Sequence, residues 1–190
     1  MILYPTETVY ALGVNAFDEQ ELAKLYELKG RDEGKPVSLL VRSIADIERY
    51  AELSPRGRRV AEAFLPGPMT LVLRAHDEVP RTSVAPDGTH SFRISSDLLA
   101  QKLIEEFMDV HDAPLTCTSA NVSGLPTLAT VVEIEKQFLE FHHTKNLPID
   151  WKVLDDGPRS GVTSTVVRIM QDTITILREG AISEADIRAV

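Results

Sequence analysis

Short runs of aliphatic and β-branched residues alternate along this chain with segments whose apolar residues recur every three or four positions, and that alternation limits the folds open to it. The runs are "VSLLV" (37–41), "MTLVLR" (69–74), "SFRIS" (91–95), "PLTCTS" (114–119), "WKVLD" (151–155), "STVVRI" (164–169) and "TITILR" (173–178). Each has the length and composition of a strand. The segments of helical period carry their own start signals: Asp18 before "EQELAKLYELK", Ser43 before "IADIERY", and Ser54 followed by Pro55. Asp97 and Thr130 precede two more, and a Ser183/Asp186 pair resembling a capping box opens the last. A Ser, Thr or Asp side chain at such a position accepts from the free N–H groups of the first turn, and proline suits the first helical residue. Helices and strands interleave, but strands follow one another near the C-terminus. The expected fold is therefore α/β: a single domain over residues 1–190, with a mixed, twisted β-sheet and flanking helices. "FLPGPMT", "VAPDGTH" and "DDGPRSGVTS" read as loops, and "HHTKNLPID" as a surface loop.

No apolar run approaches the roughly 18 residues of a membrane-spanning helix, so no membrane association is expected. The start "MILYPTETVY" lacks the basic and long apolar regions of a secretory signal. Cys117 is the single cysteine, which excludes an internal disulfide framework and fits a reducing compartment, so a cytoplasmic location is expected. Twenty Lys and Arg stand against 29 Asp and Glu, a formal net charge of −9. Such a balance opposes broad, sequence-independent attraction to nucleic acid phosphates. A polyanion would need a local cationic pocket.

One stretch runs against that balance. "KGRDEGKP" (29–36) places Lys29, Arg31 and Lys35 within eight residues at the end of a helical segment. A helix C-terminus accounts for the position, because cations complement its dipole and Gly30 or Gly34 can end the helix. It does not account for the density of charge.

Several familiar chemistries are absent. Gly34-Lys35 is followed by Pro36 rather than Ser or Thr, and no G-x-G-x-x-G occurs. No H-E-x-x-H is present and no two histidines stand four apart, so no metal site is expected; His142 and His143 are adjacent, splayed and expected in solvent. Cys117 in an apolar run reads as a buried, inert thiol. Ser164 lacks a G-x-S-x-G context. Asp155 and Asp156, ahead of Gly157-Pro158, read as a turn. What remains is hydroxyl, amide and cationic side chains at element ends. "TSANVSG" (118–124) follows a predicted strand and reads equally as an oxyanion-holding strand end or as an ordinary turn. "PTETVY" (5–10) is a second such turn.

Taken in order, "PTETVYALG", "KGRDEGKPVSLLV", "LPGPMTLVL", "FRI", "TSANVSG", "STVV" and "REGAI" resemble the YrdC-like threonylcarbamoyl-AMP synthase family over nearly the whole chain, with residues 130–152 and the middle loops matching least. The resemblance implies a twisted α/β sheet with an open concave cavity. It also implies a nucleotidyltransferase that joins L-threonine, bicarbonate or CO2, and ATP with its Mg2+ into threonylcarbamoyl-AMP and pyrophosphate. A downstream threonylcarbamoyl transferase then uses that product to modify a tRNA adenosine, and contact of this chain with tRNA is not required. No protein nucleophile is needed: alignment and neutralisation of charge suffice.

Carried onto this chain, the family's K-x-R element falls on Lys29 and Arg31 and its S-x-N element on Ser119 and Asn121. Lys29 is assigned to the phosphates. Arg31, a planar fork of donors, suits the threonine carboxylate, the carbamate or a phosphate, with the carboxylate end favoured. Lys35 is a further phosphate contact or a solvated surface lysine. Thr8 and Tyr10 would line the threonine pocket, with hydroxyl capping and ring packing as their structural alternatives. Thr116, Ser119, Asn121 and Ser164 would complete it by bonding threonine or the nucleotide, and Arg178 would contact the nucleotide. Ala11 stands where the family usually has glycine, Ser95 and Glu179 stand where proline is frequent with little expected effect, and relatives usually have more residues before "PTETVY". Three rivals share parts of this pattern: a YrdC-like paralogue with little synthase activity, an RNA-binding module using the same concave face, and a carbamoyl-transfer domain of the hydrogenase-maturation type.

Overall fold

The computed structural model describes residues 1–77, 79–142 and 150–190. Among the described residues six helices form where the capping signals stand: α1 (Glu19–Lys29), α2 (Ile44–Tyr50), α3 (Pro55–Phe64), α4 (Leu98–His111), α5 (Val131–His142) and α6 (Glu184–Arg188). Asp18 accepts from the N–H groups of Gln20 and Glu21, Ser43 from Asp46, Ser54 from Gly57, and Asp97 from Leu99 and Ala100. These bonds satisfy first-turn donors that otherwise have no partner within the helix, so the local sequence alone settles where each helix begins. Gly30 ends α1 at φ 57°, a left-handed conformation that costs glycine little.

Among the described residues ten strands form two hydrogen-bonded sheets rather than the one expected. They are β1 (Ile2–Tyr4), β2 (Ala11–Gly13), β3 (Leu39–Leu40), β4 (Met69–Arg74), β5 (Thr89–Arg93), β6 (Leu115–Thr116), β7 (Thr118–Ser119), β8 (Lys152–Val153), β9 (Thr165–Met170) and β10 (Thr173–Arg178). The larger sheet has the order β10-β9-β4-β5-β3-β6 and the smaller β7-β2-β1-β8. Both mix parallel and antiparallel pairs, as in β4 with β9 and β4 with β5. The run 114–119 supplies a strand to each sheet: Thr116 pairs with Leu39 in one and Ser119 with Ala11 in the other. Cys117 lies at the crossing, and its N–H donates to the Ser38 carbonyl at 2.6 Å.

One apolar core includes Leu71, Phe92 and Val167 of the larger sheet, Ile104 of α4, and Tyr4 and Ala11 of the smaller sheet. A second joins Leu12 of β2 to Leu25 of α1 and Phe138 of α5. Ala11 sits in the regular antiparallel pairing of β2, 2% exposed, so its extra methyl packs in the core and needs no positive φ. His142 departs from the expectation of a solvated side chain. It is 3% exposed, and its Nε2 donates to the Leu28 carbonyl at 2.6 Å. His143 and the interior of the loop expected over 142–150 lie outside the described residues. Among the described residues no helix is long and apolar enough to cross a membrane.

Candidate functional site

The crossing of the 114–119 run brings the end of β7 against the C-terminus of α1, and the ends of β5, β9 and β10 meet them across a cavity of about 210 Å³. Arg31, Ser119, Ser164 and Arg178 line it, as do Arg93, Thr70, Ser91 and Thr118. Three guanidiniums therefore share one small hollow, and none of its lining residues is acidic. On a chain of net charge −9, this is the local cationic pocket that a polyanion needs. A larger hollow of about 450 Å³ lies beside Met1, Leu28 and Trp151. Its charged lining is Glu21, Glu27 and Asp150 against Lys24, which repels anions, so the smaller cavity is the better site for them.

Each wall has an identifiable support. Arg31 donates through Nε to the Lys35 carbonyl (2.8 Å) and through Nη2 to the Pro36 carbonyl (3.1 Å), so the loop after α1 holds its fork in place. Arg178 donates twice to the Ser164 carbonyl, at 2.7 and 3.2 Å, and once to the Ser164 Oγ at 3.2 Å. Ser164 Oγ also lies 2.9 Å from Thr70 Oγ1. Burial, and then repulsion from Arg93, pull the Arg178 guanidinium down from its ordinary pKa. Repulsion between two cations on one cavity is relieved when an anion enters.

Arg93 is the functional candidate that the sequence reading left without a role. It is 5% exposed, and its Nη2 donates to Thr6 Oγ1 (3.3 Å), Glu7 Oε1 (2.9 Å) and Thr8 Oγ1 (2.5 Å). Among the described residues its buried Nε has no oxygen or nitrogen hydrogen-bond partner. Burial alone would raise the Glu7 carboxyl, but the Arg93 charge and the hydroxyl of Ser95, which donates to Glu7 Oε2, outweigh it and hold the pKa below its ordinary value. Ser95 thus has a structural part that its apparent departure from the family pattern concealed. The available signal was alternation: Ser91, Arg93 and Ser95 fall at every second position of one run, between the apolar Phe92 and Ile94.

Six of the expected site residues do not line this cavity. Lys29, assigned to phosphates, is 2% exposed and donates through Nζ to the carbonyls of Ser119 (2.5 Å) and Asn121 (2.7 Å). Two of its three ammonium donors therefore go to backbone carbonyls at the end of β7 and in the turn after it. Burial, and then the neighbouring charge of Arg31, lower its pKa to about 7. Asn121 accepts from Ser119 Oγ (2.5 Å) and donates to the carbonyls of Val122 and Leu125, so its amide braces the turn. Thr116 accepts from the Val14 N–H and donates to the Leu12 carbonyl, a fully buried tie between the two sheets. Tyr10 donates to Asp155 Oδ1 (2.6 Å) and contacts the Gly157 carbonyl (2.9 Å), anchoring the loop ahead of β9. Thr8 is the hydroxyl partner of Arg93, and Lys35 is exposed beside the cavity loop. Among the described residues no group of three His, Cys, Asp or Glu gathers as metal ligands.

The Sua5/YciO/YrdC family model, described as "Telomere recombination", matches residues 1–180. A Methanocaldococcus jannaschii protein named putative threonylcarbamoyl-AMP synthase is 31% identical over 96% of this chain and 80% of its own length. Threonylcarbamoyl-AMP synthases of Pyrococcus abyssi and Homo sapiens are 32% and 30% identical, over 53% and 64% of their own lengths, so this chain spans about half of the P. abyssi relative. The crystal structure of P. abyssi Sua5 complexed with L-threonine superposes on 99% of the chain, and this chain on 52% of it, with a TM-score of 0.84 at 30% identity. Escherichia coli YciO shares the fold at a TM-score of 0.75 and 23% identity. With a family model over residues 1–180 and relatives about 30% identical over nearly all of this chain, it belongs to the Sua5/YciO/YrdC family.

Proposed function

We propose that this chain is a threonylcarbamoyl-AMP synthase. The observation that carries the proposal is the convergence of Arg31, Arg93 and Arg178 on one cavity with hydroxyls and no carboxylate in its lining. Its relatives' names and the L-threonine in the P. abyssi complex support threonine as the substrate. In the reaction, the threonine amine adds to CO2 and gives up a proton as the carbamate N–C bond forms; starting from bicarbonate, a C–O bond breaks and water leaves. A carbamate oxygen then attacks the α-phosphorus of ATP, and the bond to the β-phosphate breaks to release pyrophosphate. Negative charge moves onto the leaving group, where fixed guanidiniums aid most.

Arg31 holds the threonine carboxylate, with Ser119, Ser164 and Thr70 offering hydroxyls to threonine or nucleotide oxygens. Arg178 and exposed Lys35 face the phosphates, and Arg93 adds charge at the cavity. Mg2+ arrives with ATP as part of the substrate, carried by phosphate oxygens. The product passes to a threonylcarbamoyl transferase acting on tRNA in the cytoplasm, without need for tRNA contact here.

The test supplies threonine, bicarbonate and Mg-ATP and follows pyrophosphate. Threonine-dependent release that falls at least about a hundredfold in Arg31→Ala is expected, the scale of losing a charged contact at a reacting centre. Threonine-independent release, or tight RNA binding with no turnover by folded protein, would overturn the assignment.

A further inference from the structure

Lys29 is buried at the seam between two cavity walls, and among the described residues its hydrogen bonds outside α1 go to one segment. Its ammonium donates to the carbonyls of Ser119 and Asn121, and its own carbonyl accepts from the Ser123 N–H at 2.8 Å. One residue thus grips residues 119–123 by side chain and backbone together. On its other side the chain turns at Gly30, where Arg31 N–H donates back to the Tyr26 carbonyl at 2.9 Å, and Arg31 enters the cavity lining two residues beyond Lys29. Ser119, on the gripped segment, lines the same cavity.

We propose that Lys29 is a positioning residue that touches no substrate: it straps residues 119–123 to the C-terminus of α1 and so sets the separation of Ser119 from Arg31. The role deepens the synthase reading, since it assigns the lysine of the K-x-R element to the architecture of that same cavity. A long, flexible side chain suits the task only because burial removes its freedom. Below its lowered pKa of about 7 the group is an ammonium, and charge-assisted bonds to two carbonyls then hold more firmly than neutral ones. The neighbouring bonds transmit the constraint. Ser119 Oγ donates to Asn121 Oδ1, while both amide hydrogens of Asn121 go to the carbonyls of Val122 and Leu125, which holds that oxygen in place. Loosening the Asn121 backbone therefore loosens the Ser119 hydroxyl.

The strap and a direct phosphate contact make opposite predictions for Lys29→Met. With a strap, amide exchange at Asn121 and Ser123 in unliganded protein accelerates about tenfold or more, the effect of losing a charge-assisted hydrogen bond. Threonine binding measured without nucleotide weakens along with ATP binding. Unchanged exchange and unchanged threonine binding, with ATP affinity alone reduced, would overturn the proposal. If Lys29→Met does not fold, the wild-type protein decides: NMR couplings from the Lys29 ammonium to the Ser119 and Asn121 carbonyl carbons persist when a non-hydrolysable Mg-ATP analogue binds. Their loss on binding refutes the strap. Exchange and couplings are read without turnover, so absence of synthase activity would sink the functional reading and leave this one decided separately.

Discussion

Replacing Glu7 by alanine tests the buried charge network under the cavity. The Arg93 and Glu7 side chains are only 6% and 16% exposed, so water replaces little of the lost partner. Arg93 would keep its bonds to Thr6 and Thr8. Removing one member of a buried pair leaves an uncompensated charge and costs about 3–5 kcal/mol. That is a large share of the roughly 5–15 kcal/mol that holds a typical domain together. At a urea slope of about 2 kcal/mol/M, the unfolding midpoint should fall by about 2 M with the slope unchanged. The pH dependence gives a second reading. The Glu7 carboxyl titrates lower in the folded protein than its ordinary 4.5, so its stabilising contribution is complete above that value and is lost as pH falls through the depressed one. Glu7→Ala should lack that portion of the acid sensitivity. A variant within about 1 kcal/mol of wild type at neutral pH, the range of an exposed pair, would refute the account of a buried network.

A Cβ on Gly180 would lie 2.6 Å from the Ser164 carbonyl carbon, so Gly180→Ala should displace the β9 entrance and depress pyrophosphate release more than thermal stability, measured side by side. Tyr10→Phe removes the hydroxyl that Asp155, Gly157 and the Asp156 N–H share, and should lower unfolding free energy by about 1–3 kcal/mol while hydrogen exchange rises across 155–157. His90 is buried, and burial lowers its pKa from 6.5 to about 4, so the unfolded chain takes up a proton between those values and the folded one does not. Stability present above pH 6.5 is therefore lost as pH falls towards 4, by on the order of 3 kcal/mol, and urea titrations of His90→Leu should show a flatter acid limb.

Much of the site was legible by type and little by contact. Arg31, Ser119, Ser164 and Arg178 come from four places in the chain and line one cavity. Lys29 shares a motif with Arg31 yet points its ammonium into backbone, because two residues further along a chain that turns at Gly30 is a different environment. Arg93 was quoted within "FRI" without a role. Whether an arginine amid apolar neighbours is a surface charge or a buried one depends on what covers the strand, and here Thr6, Glu7 and Thr8 from the N-terminal segment do.

Read alone, the amino-acid sequence determined the helix starts, the strand segments from residue 37 onward and the acidic balance that requires a local cationic pocket. These follow from interactions within a few residues or from simple counting: a cap bonds N–H groups two or three positions ahead, and a strand run is recognised by its own composition. Only the tertiary structure decided that the 114–119 run divides between two sheets at Cys117, that "PTETVYALG" contributes β2, and which cations face the cavity. Those outcomes depend on partners about a hundred residues away, as between Lys29 and Asn121 or Val14 and Thr116, and no local pattern encodes which distant surface closes over a side chain.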